Sequence, residues 1–238
     1  MPVVVPRQRN DPRQYDDLAD EWWDPRGTFA MLHWIAEARA ALVPPARRRQ
    51  ALLVDLGCGA GLLGPHVTPK GYHHVGVDLT ASALVQARDH GVTAIRGNVG
   101  AVPVADATAD VVCAGEILEH VTDLNGTVAE ACRVLRPGGT LVIDTIAATR
   151  LAALIVVTLA ERIPGAAPPG LHDPAMFVDR GVLVAECAHH GVDLQLRGLR
   201  PSVTAALAWK AGRRAAARMV PTWSTTVLFQ GHGIKEDR

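Results

Sequence analysis

The chain has 238 residues, and its 24 Lys and Arg residues balance its 24 Asp and Glu residues to a formal net charge of 0. A chain of this length builds one α/β domain with an added segment, so we expect a single domain over residues 1–238. The neutral charge excludes the strongly basic field of many nucleic-acid-binding proteins, and we expect no nucleic-acid partner. The four cysteines lack CxxC spacing, which predicts reduced thiols in a cytoplasmic protein.

The first 49 residues have helical patterning and end at Pro44-Pro45 and three arginines. They concentrate Trp22, Trp23 and Phe29 in a chain that is only 4% aromatic. A cluster of large apolar rings is stable only when it covers another surface. We therefore expect an N-terminal helical cap over residues 1–49.

From Ala51 onward, short apolar runs alternate with stretches of helical spacing. The runs are ALLVDLG, HHVGVDLT, TAIRGNV, ADVVCAGEI and GTLVIDTI. The helical stretches are ASALVQARDH, with Thr80 as candidate N-cap, and NGTVAEACRVL, which the turn LRPGG ends. Strands separated by helices predict right-handed βαβ crossovers and a mainly parallel sheet. VDLQLRGL and STTVLFQGHG predict two further strands that pair with each other.

These patterns predict an α/β, Rossmann-like fold. Its seven-stranded, mostly parallel sheet has helices on both faces, and its last strand runs antiparallel. A cofactor-binding core over 50–147 follows the cap. An insertion over 148–190, after the fifth strand, forms a lid, and C-terminal strands occupy 191–238.

A glycine-rich loop, GCGAGLLG, follows the strand that ends at Asp55 and places Gly57, Gly59 and Gly61 before a predicted helix. Such a loop lets a ligand approach bare backbone at a helix start. The loop also satisfies GxGxxG, with Asp78 about 20 residues on, as in dinucleotide sites. However, the charge of Asp55 opposes a pyrophosphate and suits an ammonium or sulfonium group. The loop therefore favours S-adenosyl-L-methionine, and Asp78 can accept hydrogen bonds from the two ribose hydroxyls of this cofactor.

The motifs VDLGCGAG, VGVDLT, GNVGAVPVADATADVVCAGEILEHV and RVLRPGGTLVIDT resemble the successive motifs of class I S-adenosylmethionine-dependent methyltransferases over residues 50–147. In that family the third motif runs alongside the adenine, and the end of the fourth strand lines the pocket for the methionine and adenosine parts of the cofactor. The resemblance thus extends the expected cofactor site to Cys58, Leu79, Asn98, Val99, Ala114 and Gly115.

Two flanking segments, DEWWDPRGTFAMLHWI and RIPGAAPPGLHDPAMFV, are similar to the O-methyltransferases of ubiquinone biosynthesis, which act on 3-demethylubiquinol and polyprenyl-hydroxyphenols. The resemblance implies that Arg39 reaches the cofactor and that the substrate is a hydrophobic phenol or quinol. It also implies peripheral membrane contact through residues 150–162. From the residues alone, LAALIVVTLA is either a buried lid helix or a surface helix, and it is too short to span a bilayer. We expect a cytoplasmic protein, with the inner face of the membrane as its candidate location.

The stretch GEILEHV places Glu116, Glu119 and His120 after the fourth strand. A helical turn there would project all three to one side, above the cofactor methyl group. A phenol has a pKa near 10, so it needs either a general base or a cation at its oxygen. The three residues suit a divalent cation such as Mg²⁺ or Zn²⁺, and His120 suits a general base. Purely structural roles remain open, and His172 is a second candidate base.

The expected function is O-methylation of a phenolic or catecholic head group, on an intermediate of quinone biosynthesis. Two alternatives remain open at this point. One is methylation of a soluble natural-product phenol or amine, and the other is a catalytically silent S-adenosylmethionine-binding protein that acts through partners. Five further histidines have no polar constellation in the sequence, and we expect them at the surface or in the core, namely His33, His73, His74, His189 and His190.

Overall fold

The computed structural model describes residues 7–163 and 165–237, so residues 1–6 of the predicted cap and Pro164 of the predicted lid lie outside the described residues. Eight strands within these ranges form one sheet. The strands are β1 (Ala51–Leu56), β2 (Tyr72–Asp78), β3 (Thr93–Arg96), β4 (Ala109–Gly115), β5 (Leu135–Ile146), β6 (Gln195–Pro201), β7 (Met219–Thr222) and β8 (Leu228–Ile234).

The sheet has the order β3-β2-β1-β4-β5-β8-β6-β7. Strands β1 to β5 run parallel to one another, whereas β8 runs antiparallel to both β5 and β6. β7 pairs antiparallel with β6 at the edge of the sheet. The α/β fold class and the mostly parallel sheet with an antiparallel last strand are therefore confirmed.

The helices cover both faces of this sheet. They are α1 (Arg13–Asp17), α2 (Ala30–Ala40), α3 (Gly64–Val67), α4 (Ala81–Asp89), α5 (Leu124–Val134), α6 (Arg150–Ala152), α7 (Arg180–His189) and α8 (Val203–Lys210). A π-helix over Ala153–Leu159 continues α6. Single 3₁₀ turns lie at Ala19–Glu21, Thr68–Lys70, Leu118–His120, Ala160–Arg162 and Pro174–Met176.

Strand alternation divides the core between the two faces. Along β4, Val112 and Ala114 lie in the core cluster that contains residues of α5 and α7, whereas Val111 and Cys113 lie in the cluster that contains residues at the end of α2 and in α3. Both sets are buried because successive strand residues point to opposite faces of a covered sheet. Consequently α7, inside the predicted lid region, packs into the core, whereas the segment over 148–178 supplies residues of the cavity described below.

Three details differ from the expectations. The sheet has eight strands, because the short edge strand β7, which contains Pro221, has no alternating pattern and pairs only with β6. LRPGG does not end α5 as a separate turn but begins β5, and the register of β4 against β5 shifts there. Thr80 precedes α4, but its side chain makes no capping hydrogen bond in the described structure.

A buried ion pair joins the cap to the sheet. Arg39, on α2, donates from Nε and Nη2 to the two carboxylate oxygens of Asp144 on β5, each at 2.7 Å. Gly115 is the parallel-strand neighbour of Asp144. A Cβ atom on Gly115 would lie 1.7 Å from Cζ of Arg39. The guanidinium therefore occupies the space that any side chain at position 115 would need.

We expect Gly115→Ala to destabilise the protein by roughly 3–5 kcal/mol, because the new methyl group displaces the guanidinium and leaves the buried carboxylate without its partner. Urea unfolding of both proteins measures this change. Gly100→Ala is the matched control, since the nearest heavy atom to its added Cβ would be Oδ1 of Asn98 at 3.5 Å. Equal stability of the two variants would contradict the account of Arg39.

Candidate functional site

One cavity of about 940 Å³ opens at the carboxyl ends of β1, β2 and β4. This is the edge at which parallel α/β sheets bind ligands. Its walls come from the cap, the glycine loop, the segment over 148–178 and the rim formed by β6 and β7. A cavity of this size is at the upper end of small-molecule sites, which leaves room for a cofactor and a second ligand.

The glycine loop lies directly under the cap. Gly57, Gly59 and Gly61 all have positive φ, which glycine adopts without strain. A Cβ on Gly59 would lie 2.7 Å from the ring of Trp22, and Trp22 stacks on Phe29 with ring centroids 4.3 Å apart. The predicted aromatic cluster thus covers the glycine loop.

Asp78 binds the glycine loop as well as facing the cavity. Its Oδ2 accepts from the backbone N–H of Gly59 at 2.9 Å, and its Oδ1 accepts from that of Thr80 at 2.8 Å. Burial raises the pKa of Asp78, and the two backbone donors oppose that shift. Each oxygen keeps a second acceptor site, so the carboxylate can still accept from hydroxyl groups of a ligand.

Asp55, the last but one residue of β1, is buried at the floor of the cavity. Its Oδ2 lies 3.3 Å from Nε2 of His74. Its Oδ1 has no hydrogen-bond partner within the described part of the chain. An unpaired buried carboxylate oxygen is costly, so this atom marks a place where a ligand donor fits.

The cavity walls contain most of the predicted cofactor residues, namely Arg39, Asp55, Gly57, Cys58, Gly59, Asp78, Leu79, Asn98, Val99 and Gly115. Gly61 and Ala114 are not among the lining residues in the described ranges. Gly61 lies against α4, where a Cβ would meet Val92 at 2.9 Å and Ala87 at 3.1 Å. Ala114 points to the opposite face of the sheet, into the core. Both residues shape the site through packing.

Glu119, His120 and His172 come together, each offering one potential ligand atom within 4.8 Å of the others. The 3₁₀ turn over Leu118–His120, which follows β4, supplies Glu119 and His120, and the segment over 148–178 supplies His172. Glu119 is buried behind the cavity wall, where its Oε2 accepts from Oγ1 of Thr145 at 2.7 Å. Oε1 of Glu119 and Nδ1 of His172 have no hydrogen-bond partner among the described residues, and Nδ1 of His172 lies 4.0 Å from Oε1 of Glu161.

Glu116 does not join this group, which corrects the expectation that Glu116, Glu119 and His120 project together. The backbone of Glu116 has φ +51°, and helical backbone begins only at Leu118, so the i, i+3, i+4 spacing does not apply. Its N–H donates to the carbonyl of Asp144 at 2.8 Å. Glu116 lines the cavity next to Gly115, which is one of the predicted cofactor residues.

Two residues of the cap contact His120, and sequence reasoning missed both. Nδ1 of His120 bonds Oδ1 of Asn10, and Nε2 lies 3.3 Å from the hydroxyl of Tyr15. Because the amide oxygen accepts, the hydrogen-bond network assigns the proton to Nδ1 and leaves Nε2 as the acceptor. No local signal could have found these contacts, since about a hundred residues separate the partners.

A further contact fastens the segment over 148–178 to the N-terminal segment. Arg9 forms a two-pronged ion pair with Glu161, at 2.8 Å and 3.1 Å, and also donates to the carbonyl of His172 at 2.7 Å. Glu161 in turn accepts from the N–H of Gly170 at 3.0 Å. These bonds hold the ring of His172 beside the ring of His120.

Burial shifts the acid–base behaviour of the cluster. It raises the pKa of Glu119 to about 7, against the hydrogen bond from Thr145. It lowers the pKa of His120 to about 3, with a further contribution from His172, and that of His172 to about 4. Burial, with Glu119 and Asp144, also raises the pKa of Glu116. Both imidazoles are therefore neutral near pH 7, the state in which histidine accepts a proton or binds a metal.

We expect acid to destabilise the protein partly through His172. Its pKa is 6.5 in the unfolded chain and about 4 in the folded one, so the unfolded state takes up the proton first as the pH falls. Stability is therefore lost progressively from pH 6.5 to about pH 4, by on the order of 1–3 kcal/mol. His172→Gln should flatten urea midpoints across this window, whereas His73→Gln, at an exposed site, should leave the slope unchanged.

Comparisons with known proteins agree with this geometry. A family model described as a methyltransferase domain matches residues 54–143. The ubiquinone biosynthesis O-methyltransferase of Hahella chejuensis is 32% identical, over 79% of this chain and 82% of its own length. The protein of the same name from Paraburkholderia xenovorans is 35% identical, over 70% of this chain and 75% of its own length.

Solved structures share the fold at low identity. An S-adenosylmethionine-dependent methyltransferase of Thermotoga maritima superposes with a TM-score of 0.63 at 16% identity, over 94% of this chain and 97% of that one. A phosphoethanolamine N-methyltransferase of Haemonchus contortus has a TM-score of 0.60 at 15% identity, over 95% of this chain and 58% of that one. The chain therefore belongs to the S-adenosylmethionine-dependent methyltransferase family that includes the ubiquinone biosynthesis O-methyltransferases.

Proposed function

We propose that this methyltransferase transfers the methyl group to the oxygen of a phenolic or catecholic head group on a hydrophobic molecule, an intermediate of quinone biosynthesis. The observation that carries the proposal is one continuous cavity with three kinds of wall. The glycine loop forms the first, His120 and His172 stand at the second, and apolar side chains form the third. The similar proteins named ubiquinone biosynthesis O-methyltransferase support the same reaction class.

The cofactor has one orientation that fits the charges. Asp55 would hold the methionine ammonium group through its unpartnered Oδ1, and Asp78 would accept hydrogen bonds from the ribose hydroxyls. Asn98 and Val99, which also line the cavity, would contact the adenine. Glu116 and His120 line the same cavity and are the residues that we assign to the side of the sulfonium methyl group.

The apolar wall suits a hydrophobic substituent on the acceptor. It combines side chains of the cap, the segment over 148–178 and the rim of the sheet, namely Met31, Leu32, Ile35, Ile155, Val156, Ile163, Leu171, Leu199 and Leu228. A free acid or a sugar would leave this surface unfilled, whereas an alkyl or prenyl tail buries it favourably. The wall therefore favours a lipid-like phenol over a small soluble one.

Methyl transfer is an in-line displacement in which the bond from oxygen to the methyl carbon forms as the bond from sulfur to that carbon breaks. The products are the methyl ether, S-adenosylhomocysteine and the phenol proton. The protein mainly aligns the two reactants and stabilises the oxygen as a nucleophile. The cap and the segment over 148–178 supply walls of the cavity that would exclude water from both reactants.

The cluster of Glu119, His120 and His172 fits a divalent cation. Its ligand atoms lie within 4.8 Å of one another, and two of the residues carry buried polar atoms without partners in the described ranges. Two imidazoles and one carboxylate are the donors of a borderline ion such as Zn²⁺, more than of Mg²⁺, which prefers oxygen ligands. A cation there would lower the pKa of a phenol or catechol bound to it.

The second candidate is His120 acting as a general base without a metal. Its Nε2 is an acceptor, because Asn10 holds the proton on Nδ1, and the ring lines the cavity. Its low pKa makes it a poor base toward a free phenol, but the phenol proton becomes far more acidic as the methyl group bonds the oxygen. Tyr15, which contacts Nε2, would yield this position to the substrate hydroxyl.

We expect labelled methyl to pass from S-adenosylmethionine into a short-chain catecholic quinol. EDTA should abolish this transfer, and added Zn²⁺ should restore it, because the cation holds the acceptor oxygens. Transfer indifferent to EDTA would contradict the cation and support His120 as the base. No transfer by a protein that binds the cofactor would overturn the quinol proposal and favour another acceptor or a silent binding protein.

Two glutamates provide the matched control for this experiment. Glu119→Gln removes a carboxyl group from the cluster, whereas Glu116→Gln removes one from the neighbouring wall, outside the group of ligand atoms. Titration with Zn²⁺ alone should show at least tenfold weaker binding for Glu119→Gln and little change for Glu116→Gln. Equal effects would mean that the cluster does not hold the ion.

We further propose that the π-helix segment contacts a membrane surface. No helix among residues 7–163 and 165–237 is long and apolar enough to cross a bilayer. However, the segment has two sides, because Ile155 and Val156 line the cavity while Leu154 and Leu159 are each 52% exposed. A surface-lying helix with its apolar side chains outward can insert shallowly between lipids. Such a position would place the cavity beside a lipid-soluble substrate.

We expect Leu154→Glu with Leu159→Glu to reduce co-sedimentation with vesicles of phosphatidylethanolamine and phosphatidylglycerol by at least fivefold, because each change removes apolar contact and adds a repelled charge. Val182→Glu, at an exposed apolar position on α7, is the control. Methyl transfer to a short-chain soluble acceptor should persist in the double variant. Unchanged co-sedimentation would refute contact through this segment.

A further inference from the structure

His74 contacts Asp55 of the candidate cofactor site, although the sequence around His74 predicts no such contact. It lies on β2 with 3% of its surface exposed, and its Nε2 is 3.3 Å from Oδ2 of Asp55. The strand register explains the contact. Leu53 pairs with His74 and Asp55 with Gly76, so His74 and Asp55 point to the same face of the sheet.

The surroundings of Asp55 leave His74 as its hydrogen-bond donor. Beside Asp55, Gly76 has no side chain to offer, and a Cβ there would lie 2.5 Å from Sγ of Cys58. Oδ2 accepts from the ring of His74, whereas Oδ1 has no partner among the described residues. Since a carboxylate oxygen only accepts, the ring proton lies on Nε2, and Nδ1 is left without a partner there.

A carboxylate that is held through one oxygen presents the other in a fixed direction. The bond from His74 limits rotation of the Asp55 side chain. Arg39 lies nearby, and the charge of Asp55 contributes to the raised pKa of the Arg39 guanidinium. A ligand that donates to Oδ1 then needs no reorientation of the site, which lowers the cost of binding. The same bond compensates Oδ2 for its removal from water.

We propose that His74 is a positioning residue for the cofactor, which orients the Asp55 carboxylate toward the methionine ammonium group of S-adenosylmethionine. The inference rests on the proposed orientation of the cofactor. His74 touches neither the cofactor nor the acceptor, and it acts through Asp55. It therefore affects the recognition of the amino-acid half of the cofactor and leaves the adenosine half unaffected.

The test compares two ligands by calorimetry. S-adenosylhomocysteine carries the amino-acid half, and 5′-methylthioadenosine lacks it. His74→Leu should weaken binding of S-adenosylhomocysteine by about tenfold, as expected for a lost hydrogen bond to a charged group, and change binding of methylthioadenosine by less than twofold. His74→Gln, whose amide N–H can reach the same oxygen, should restore most of the affinity. His73→Leu, on the exposed side of β2, is the control.

Two results would overturn the proposal. If His74→Leu weakens both ligands equally, the residue supports the fold of the site and does not orient Asp55. If neither affinity changes, the contact has no role in binding. The result is independent of the acceptor, because a wild-type protein that binds both ligands but methylates no phenol would refute the proposed substrate and leave this inference intact.

Discussion

The buried ion pair between Arg39 and Asp144 is the interaction on which the arrangement of the site depends. It joins a helix of the cap to the carboxyl end of β5, and it requires a glycine at position 115. Because both groups are removed from water, loss of either would leave a charge without compensation. The pair therefore fixes the position of the cap over the glycine loop, and Arg39 forms part of the cavity wall.

An excess of carboxylates surrounds this guanidinium. Asp55, Glu116 and Glu119 lie close enough for their charges to interact with Arg39 or with one another, and burial raises the pKa of both glutamates. An interior of this kind favours ligands with positive charge, because a nearby cation stabilises the ionised form of carboxyl groups whose pKa burial has raised. The sulfonium and ammonium groups of the proposed cofactor and a divalent cation meet the same requirement. One electrostatic cause thus supports both assignments.

The part of the cavity that contains His120 and His172 is built from parts of the chain that lie far apart. Asn10 and Tyr15 contact His120, while Arg9 holds Glu161 and the backbone of His172, across as many as 163 residues. These contacts join the N-terminal segment to the opposite wall of the cavity and hold His120 and His172 in place. The segment over 148–178 also exposes the apolar side chains of Leu154 and Leu159. One segment would therefore supply both a wall of the cavity and the proposed contact with a lipid surface.

Local periodicity and spacing along single βα units were enough to predict the strands and helices through β5, the glycine loop and the acids Asp55 and Asp78. The sequence pattern did not predict that His172 joins the cluster in place of Glu116, that Arg39 pairs with Asp144 or that His74 reaches Asp55. It also did not predict β7, which has no alternating pattern and pairs with β6. These contacts depend on strand register and on packing between distant segments, which local periodicity does not encode.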